Sequence, residues 1–210
     1  MRSYQELINE LISDGYLKTP SIIQAFRKID RKHFVRPEDV DDAYVNAPLH
    51  IGHNQTISQP LTVAFMMEIF QPLPGEKIMD VGAGSGWTSA LLAEMVGDTG
   101  KIFTVELIPD LCSFGQANVS KLGFIEKGRV VFLCQDAALG VPEQAPLDGI
   151  IAGCALSRLP TAWSGQVKEG GRVLVPMGTK IVLFKKLKDE LIQQRAWEGF
   201  SFVPFVSSLN

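Results

Sequence analysis

Lys77-Ile78-Met79-Asp80-Val81-Gly82-Ala83-Gly84-Ser85-Gly86 is a short apolar run that ends in three alternate glycines, and an apolar-periodic segment, Ser85–Val96, follows it. A strand that breaks into glycines and re-enters as a helix lets the backbone turn tightly. It also lets a ligand approach the main chain and the helix N-terminus. The spacing selects among ligands. A dinucleotide fingerprint requires G-x-G-x-x-G, and Trp87 stands where its last glycine belongs, so a nicotinamide or flavin cofactor is disfavoured. No Gly-Lys-Ser/Thr follows, so the turn is not a P-loop.

Outward from this turn the pattern alternates. Lys101–Val105, Arg129–Cys134, Gly149–Gly153 and Arg172–Val175 read as further strands. Pro109–Leu122 and roughly Leu159–Val167 read as helices between them. Near-continuous apolar strands separated by helices predict a parallel sheet covered on both faces, the doubly wound α/β architecture. Ile181–Leu187, Leu191–Trp197 and Phe200–Val206 follow one another through short polar turns and read as antiparallel strands closing the sheet edge, making the sheet mixed. Upstream, the capping box Ser3-x-x-Glu6 opens one helix and Thr19-Pro20 a second. His33–Gln59 is irregular enough to be a packed functional loop. A helix starts near Pro60. The expected organisation is a single domain, with a helical and loop segment at 1–59, a cofactor-binding core at 60–178 and antiparallel strands at 179–210.

Composition narrows the class. The chain has 210 residues, 46% of them hydrophobic, and 20 Lys+Arg against 23 Asp+Glu give a net charge of −3. That is core-forming material without the basic footprint of a nucleic-acid binder. The three cysteines, Cys112, Cys134 and Cys154, are odd in number, lack CxxC spacing and sit among apolar neighbours. A disulfide framework or zinc site is therefore not expected, and a reducing cytosolic compartment is. No signal-like segment or membrane-spanning run stands out, so a soluble protein is expected.

Candidate site residues cluster at the carboxyl ends of the strands, where open α/β sheets bind ligands. Glu106 follows the second strand, about 20 residues beyond the glycines, the place of a carboxylate that accepts from a ribose diol. Asp80 precedes the glycines and Asp136 follows the third strand. Three carboxylates lining one crevice suit a cationic nucleoside better than a pyrophosphate, which points to S-adenosylmethionine. Each has a plainer reading, as a turn brace or a solvated strand-end charge. Trp87 and Trp163 read as core or pocket wall, and His33, His50 and His53 lack metal-ligand spacing. Within Ile51-Gly52-His53-Asn54-Gln55-Thr56-Ile57-Ser58-Gln59-Pro60, Ser58 is placed to cap the helix beginning at Pro60. The same position could orient a carboxylate beside unpaired backbone N–H groups.

Taken in order, Gln55-Thr56-Ile57-Ser58-x-Pro60, Asp80-Val-Gly-Ala-Gly-Ser-Gly, Ala145-Pro146-Leu147-Asp148-Gly-Ile-Ile and Glu169-Gly-Gly-Arg-Val-Leu-Val-Pro-Met-Gly178 resemble the protein-L-isoaspartate O-methyltransferase family. The resemblance implies a Rossmann-like fold that moves the methyl of S-adenosylmethionine to the free carboxylate of an isoaspartyl residue. The ester then closes to a succinimide. It implies Ser58 as the active-site serine, Gln55, Thr56 and Ile57 as a loop covering the cofactor, and Gly82, Gly84 and Ser85 as the glycine turn. Glu106 becomes the ribose acid, Asp136 and Ala137 the pair beside the adenine, and Phe202–Phe205 a main-chain edge for extended substrate. Implied partners are isoaspartyl peptides or proteins, met by a monomer in the cytoplasm with no nucleic acid, membrane or metal involved. The chain departs from the family at Gly153-Cys154-Ala155-Leu156-Ser157-Arg158, near the expected substrate cleft, and at Gln135-Asp136-Ala137. A different peptide or small-acid acceptor, or a non-catalytic binding module, are the competing readings.

Overall fold

A computed structural model describes residues 2–208. The N-terminal segment forms α1 (Tyr4–Ser13) and α2 (Pro20–Lys28). The capping box is real: Ser3 Oγ accepts from the Glu6 N–H at 3.2 Å, and the Glu6 carboxylate accepts from the Ser3 N–H at 2.6 Å. The stretch expected to be irregular is more ordered than that. It contains 3₁₀ turns at Arg31–Phe34 and Pro37–Asp42, then a hairpin of β1 (Leu49–Gly52) and β2 (Gln55–Ile57). His53 and Asn54 turn that hairpin with φ of 53° and 56°. Positive φ at both loop residues is the type I′ hairpin turn, whose usual sequence, Asn-Gly, is missing here. α3 (Pro60–Phe70) follows.

The alternating region forms β3 (Lys77–Val81), α4 (Trp87–Val96), β4 (Lys101–Glu106), α5 (Pro109–Ser120), β5 (Val130–Cys134), β6 (Leu147–Ala152) and α6 (Thr161–Gln166). β7 (Val167–Met177), β8 (Lys180–Leu187) and β9 (Glu190–Glu198) complete the α-helices and β-strands of the described residues. The seven strands lie in the order β5-β4-β3-β6-β7-β8-β9, parallel from β5 to β7 and antiparallel from β7 to β9. Alternate residues of each central strand enter opposite cores. Ile78, Ile102 and Ile151 pack beneath α1–α5, and Met79, Phe103 and Ile150 pack with Trp163 of α6 on the other face. Burial on both faces is why these strands read as unbroken apolar runs. The chain builds β3, β4 and β5 outward and then returns to β6 on the other flank of β3. The strand order therefore reverses at β3/β6, opening a crevice at their carboxyl ends.

Two expectations are overturned. Phe200–Val206 is not a further sheet strand. Gly199, at φ 95°, turns the chain away from β9, and the segment crosses back over the carboxyl edge, held by one parallel bridge between Ala155 and Pro204. The Ala155 N–H donates to Val203 O, and the Phe205 N–H to Ala155 O, both at 2.8 Å. Pro204 has no N–H and cannot sustain a central ladder. The second correction concerns the cysteines: Cys112 of α5 and Cys134 of β5 form a disulfide, with Cα atoms 5.9 Å apart, and Cys154 is free and buried. Spacing arguments miss such a pair because helix and strand meet only in the fold, and an odd count is compatible with one bridge and one thiol.

Candidate active site

The glycine turn carries β3 into α4. Gly86 caps α4 at φ 83°, and a Cβ there would lie 2.8 Å from Val119 Cγ2 and 2.9 Å from the Gly115 carbonyl, so α5 approaches too closely for any side chain. Beyond α4, Glu106 ends β4 and is buried. Its Oε2 accepts from the Gly84 N–H at 2.9 Å and its Oε1 from the Ile108 N–H at 3.0 Å. A carboxylate has about four acceptor sites, so each oxygen keeps capacity for one more donor. The carboxylate faces a crevice whose floor is Gly82, Gly84, Gly153 and Cys154 at the ends of β3 and β6. Gln55 and Thr56 of β2 form one side, Leu107, Ile108 and Ala137 another, and the Val203–Val206 strap the rim.

The crevice holds one of the three expected carboxylates. Asp80 lies beneath the turn, fully buried, accepting from Ser89 Oγ at 2.6 Å. Burial pushes its carboxyl up to about 7, against the opposing Ser89 hydrogen bond and with a further push from Glu106. Asp136 is turned away. Its Oδ1 accepts from the Ala138 N–H at 2.8 Å, and its Oδ2 accepts from Ser207 Oγ, the Ser208 N–H and Ser208 Oγ at 2.8, 2.6 and 2.9 Å. Partial burial raises the Asp136 carboxyl, but donation by Ala138, Ser207 and Ser208 outweighs it and holds the group below its ordinary value. Asp136 thus anchors the end of the strap, and its neighbour Ala137 lines the crevice. Among the other expected residues, Gln55, Thr56, Gly82 and Gly84 line the crevice, whereas Ile57 is core and Ser85 is a buried support whose carbonyl accepts from Asn118 Nδ2 at 3.0 Å.

Ser58 does not cap α3. The cap residue is Gln59, which makes no side-chain cap bond, and the Leu61 N–H donates instead to Asn46 Oδ1 at 3.0 Å. Ser58 opens onto a second hollow with Pro48, Gln59, Thr62 and Ser201–Val203. Thr56, Gly153 and Val203 line both this hollow and the crevice. Gly153 and Cys154 were expected near the substrate cleft and Phe202–Phe205 as an edge for extended substrate; that Gly153, Cys154 and the Val203–Val206 strap also line the first crevice was not foreseen. For Gly153 and Cys154, their place at the end of a parallel strand was the available signal. Burial, then Glu106 and Asp80, push the Cys154 thiol up to about 12, so it is a neutral wall. The departures Leu156-Ser157-Arg158 line neither compartment: Leu156 is core, and Ser157 and Arg158 border a separate hollow beyond Phe205.

A parallel sheet reversing at β3/β6, with a glycine turn and a strand-end acid on its carboxyl edge, defines the Rossmann-like methyltransferase class. The solved structures agree: a protein-L-isoaspartate O-methyltransferase superposes with a TM-score of 0.88 at 28% identity over 99% of this chain and 67% of its own. A Plasmodium falciparum chain in complex with S-adenosyl-L-homocysteine shares the fold, with a TM-score of 0.87 at 20% identity over 98% of this chain and 99% of that one. The family profile described as protein-L-isoaspartate(D-aspartate) O-methyltransferase matches residues 2–210. A protein-L-isoaspartate O-methyltransferase of Methanopyrus kandleri is 39% identical over 98% of this chain and 92% of its own, and one of Aeropyrum pernix is 36% identical over 95% and 78%. The chain belongs to the protein-L-isoaspartate(D-aspartate) O-methyltransferase family.

Proposed function

We propose that the chain methylates the free carboxylate of isoaspartyl residues in peptides and proteins, with S-adenosylmethionine in the crevice and the acceptor in the Ser58 hollow. The observation that carries this reading is the shared wall: Thr56, Gly153 and Val203 border both compartments, so donor and acceptor meet there. The residues fit the donor. Glu106 keeps acceptor capacity for a ribose diol, and Gly82 and Gly84 leave space that a Cβ would take, 3.2 Å from Cys154 Sγ and 3.0 Å from Ile51 Cδ1 respectively. When bound, S-adenosylmethionine supplies an electrophilic methyl on a sulfonium.

The rest of the chemistry belongs to the chain. A carboxylate with a reference pKa near about 4 is already ionised at neutral pH, so no general base is required, and none lines the Ser58 hollow. Ser58 Oγ donates to one acceptor oxygen and leaves the other free to attack. Gln55 and Thr56 on one side and the strap on the other exclude water, and in-line positioning supplies the rate. The outward edge of Phe202–Phe205 pairs with the main chain of an extended substrate, as in strand addition. The proposal includes the setting, a monomer in the cytoplasm. No described helix is long and apolar enough to cross a membrane. The Cys112–Cys134 disulfide is the observation that weighs against a reducing compartment.

Methyl transfer from labelled S-adenosylmethionine to matched isoaspartyl and aspartyl peptides, counted as base-labile ester, tests this reading. Isoaspartyl-only labelling supports it. Equal labelling of both peptides moves the function to a general carboxyl acceptor, and binding without transfer moves it to an interaction module.

A further inference from the structure

Arg31 is fully buried, yet among the described residues it has no carboxylate within ion-pair distance. Its guanidinium is held by main-chain oxygens: Nη1 donates to Ala43 O at 2.6 Å, and Nη2 donates to Ala47 O at 3.0 Å and Ser58 O at 3.2 Å. Its Nε has no partner among the described residues, and its Cζ sits 5.5 Å from the Trp87 ring centre. A buried charge of this kind is costly unless it is hydrogen-bonded throughout. Burial lowers its proton affinity to about 10, which leaves it charged at neutral pH.

The three carbonyls are not equivalent in position. Ala47 precedes Pro48, and Pro48 and Ser58 both border the acceptor hollow, side by side just beyond the Leu49–Ile57 pair of the β1–β2 hairpin. The same two segments meet a second time, where Gln59 Nε2 donates to Asn46 O at 3.0 Å and the Leu61 N–H to Asn46 Oδ1 at 3.0 Å. No described group tethers the Ser58 side chain, so the direction of its hydroxyl follows from its main chain, and Arg31 holds that main chain from behind. A planar fork can bridge two carbonyls that a single ammonium cannot hold in the same geometry.

We infer that Arg31 is a positioning residue for the methyl acceptor: it ties the Ser58 main chain to the Ala43–Ala47 loop and so fixes the direction of the serine hydroxyl. This rests on the reading of Ser58 given above. Arg31 does not border the crevice, but its guanidinium lies over Trp87 at the start of α4, so donor affinity is read beside turnover to separate the two effects.

The test is a double-mutant cycle of Arg31→Lys and Ser58→Ala, with Arg31→Gln alongside, read as kcat, KM for an isoaspartyl peptide, and Kd for S-adenosylhomocysteine. Arg31→Lys is expected to lower kcat/KM by about 10- to 100-fold, with Kd within about twofold of the parent. In the Ser58→Ala background the same change is expected to cost less than about threefold, because the group through which it acts is gone. Additive losses overturn the inference, as does unchanged kcat/KM in both Arg31 variants. Loss of S-adenosylhomocysteine binding in step with turnover also overturns it, since Arg31 would then be a framework residue. If the parent labels no isoaspartyl peptide, it is the functional reading that fails, a result visible before any variant is made.

Discussion

The Gly84 N–H donates to Glu106 Oε2 at 2.9 Å, so the acid expected to hold the ribose also fixes the glycine turn beside it. With the Ile108 N–H on its other oxygen, Glu106 braces the turn, in addition to the ribose-holding role proposed for it. Glu106→Ala should therefore weaken S-adenosylhomocysteine binding by at least about 10-fold and lower Tm as well, given about 1.5–3 kcal/mol for each hydrogen bond to a charged group. Glu106→Gln should behave similarly, because an amide –NH₂ in place of one oxygen cannot accept from Gly84 or Ile108. Calorimetric titration and a melting curve separate the two effects. Unchanged affinity in both variants would remove Glu106 from the cofactor site.

Ser58→Ala should lower kcat for an isoaspartyl peptide by about 10- to 100-fold and leave S-adenosylhomocysteine affinity within about twofold. Because Gln59 is the cap of α3 and Ser58 makes no cap bond, the melting temperature should stay within about 2 °C. A drop of several degrees without a drop in turnover would restore the capping role.

The contrast at Ser58 shows what sequence alone could and could not fix. The run of apolar residues located β3 to β6 to within two positions, because β3, β4 and β6 are buried on both faces and leave no polar alternation to misread; it missed the start of β7, Val167–Gly171, where Lys168, Glu169 and Gly170 are exposed. Glu106 was legible for the same reason, since it stands at the end of such a run. Asp136 was not, because its carboxylate turns toward Ser207 and Ser208, a partner 71 positions away for Ser207 that no local pattern announces. The Val203–Phe205 strap was misread as a sheet strand: its composition suits one, and only Gly199 and Pro204 show that it leaves the sheet.

Asp80 should imprint a pH dependence on stability. Its folded-state carboxyl is raised to about 7 by burial, whereas its unfolded value is near about 4. The folded state then binds more protons than the unfolded state between those values, so this group's contribution is fully present below about pH 4 and is lost as pH rises toward 7. Asp80→Asn keeps an acceptor for Ser89 Oγ without a titrating proton. Melting curves from pH 5 to 8 should decline less with pH for the variant than for the parent, and parallel profiles would show that Asp80 titrates normally.

Cys112 and Cys134 enclose α5 and the turn beyond it in a loop with a sequence separation of 22 residues. On the chain-entropy account a bridge closing a loop of that length contributes about 3 kcal/mol through the unfolded state. Cys134 also stands in register beside Glu106 in the β4–β5 ladder, so the bridge ties α5 to the strand flanking Glu106. Glu106 nevertheless has its own two hydrogen bonds and does not rely on the bridge for its direction. Reduction, or the Cys112→Ser/Cys134→Ser double variant, should lower Tm by several degrees and leave S-adenosylhomocysteine affinity within about threefold. Peptide mapping without reductant should recover a cross-linked pair containing these two residues and leave Cys154 as the thiol that is alkylated only after unfolding. Alkylation of all three cysteines in the unfolded, unreduced protein would show that the bridge does not form, and would restore the reducing compartment read from the cysteine pattern.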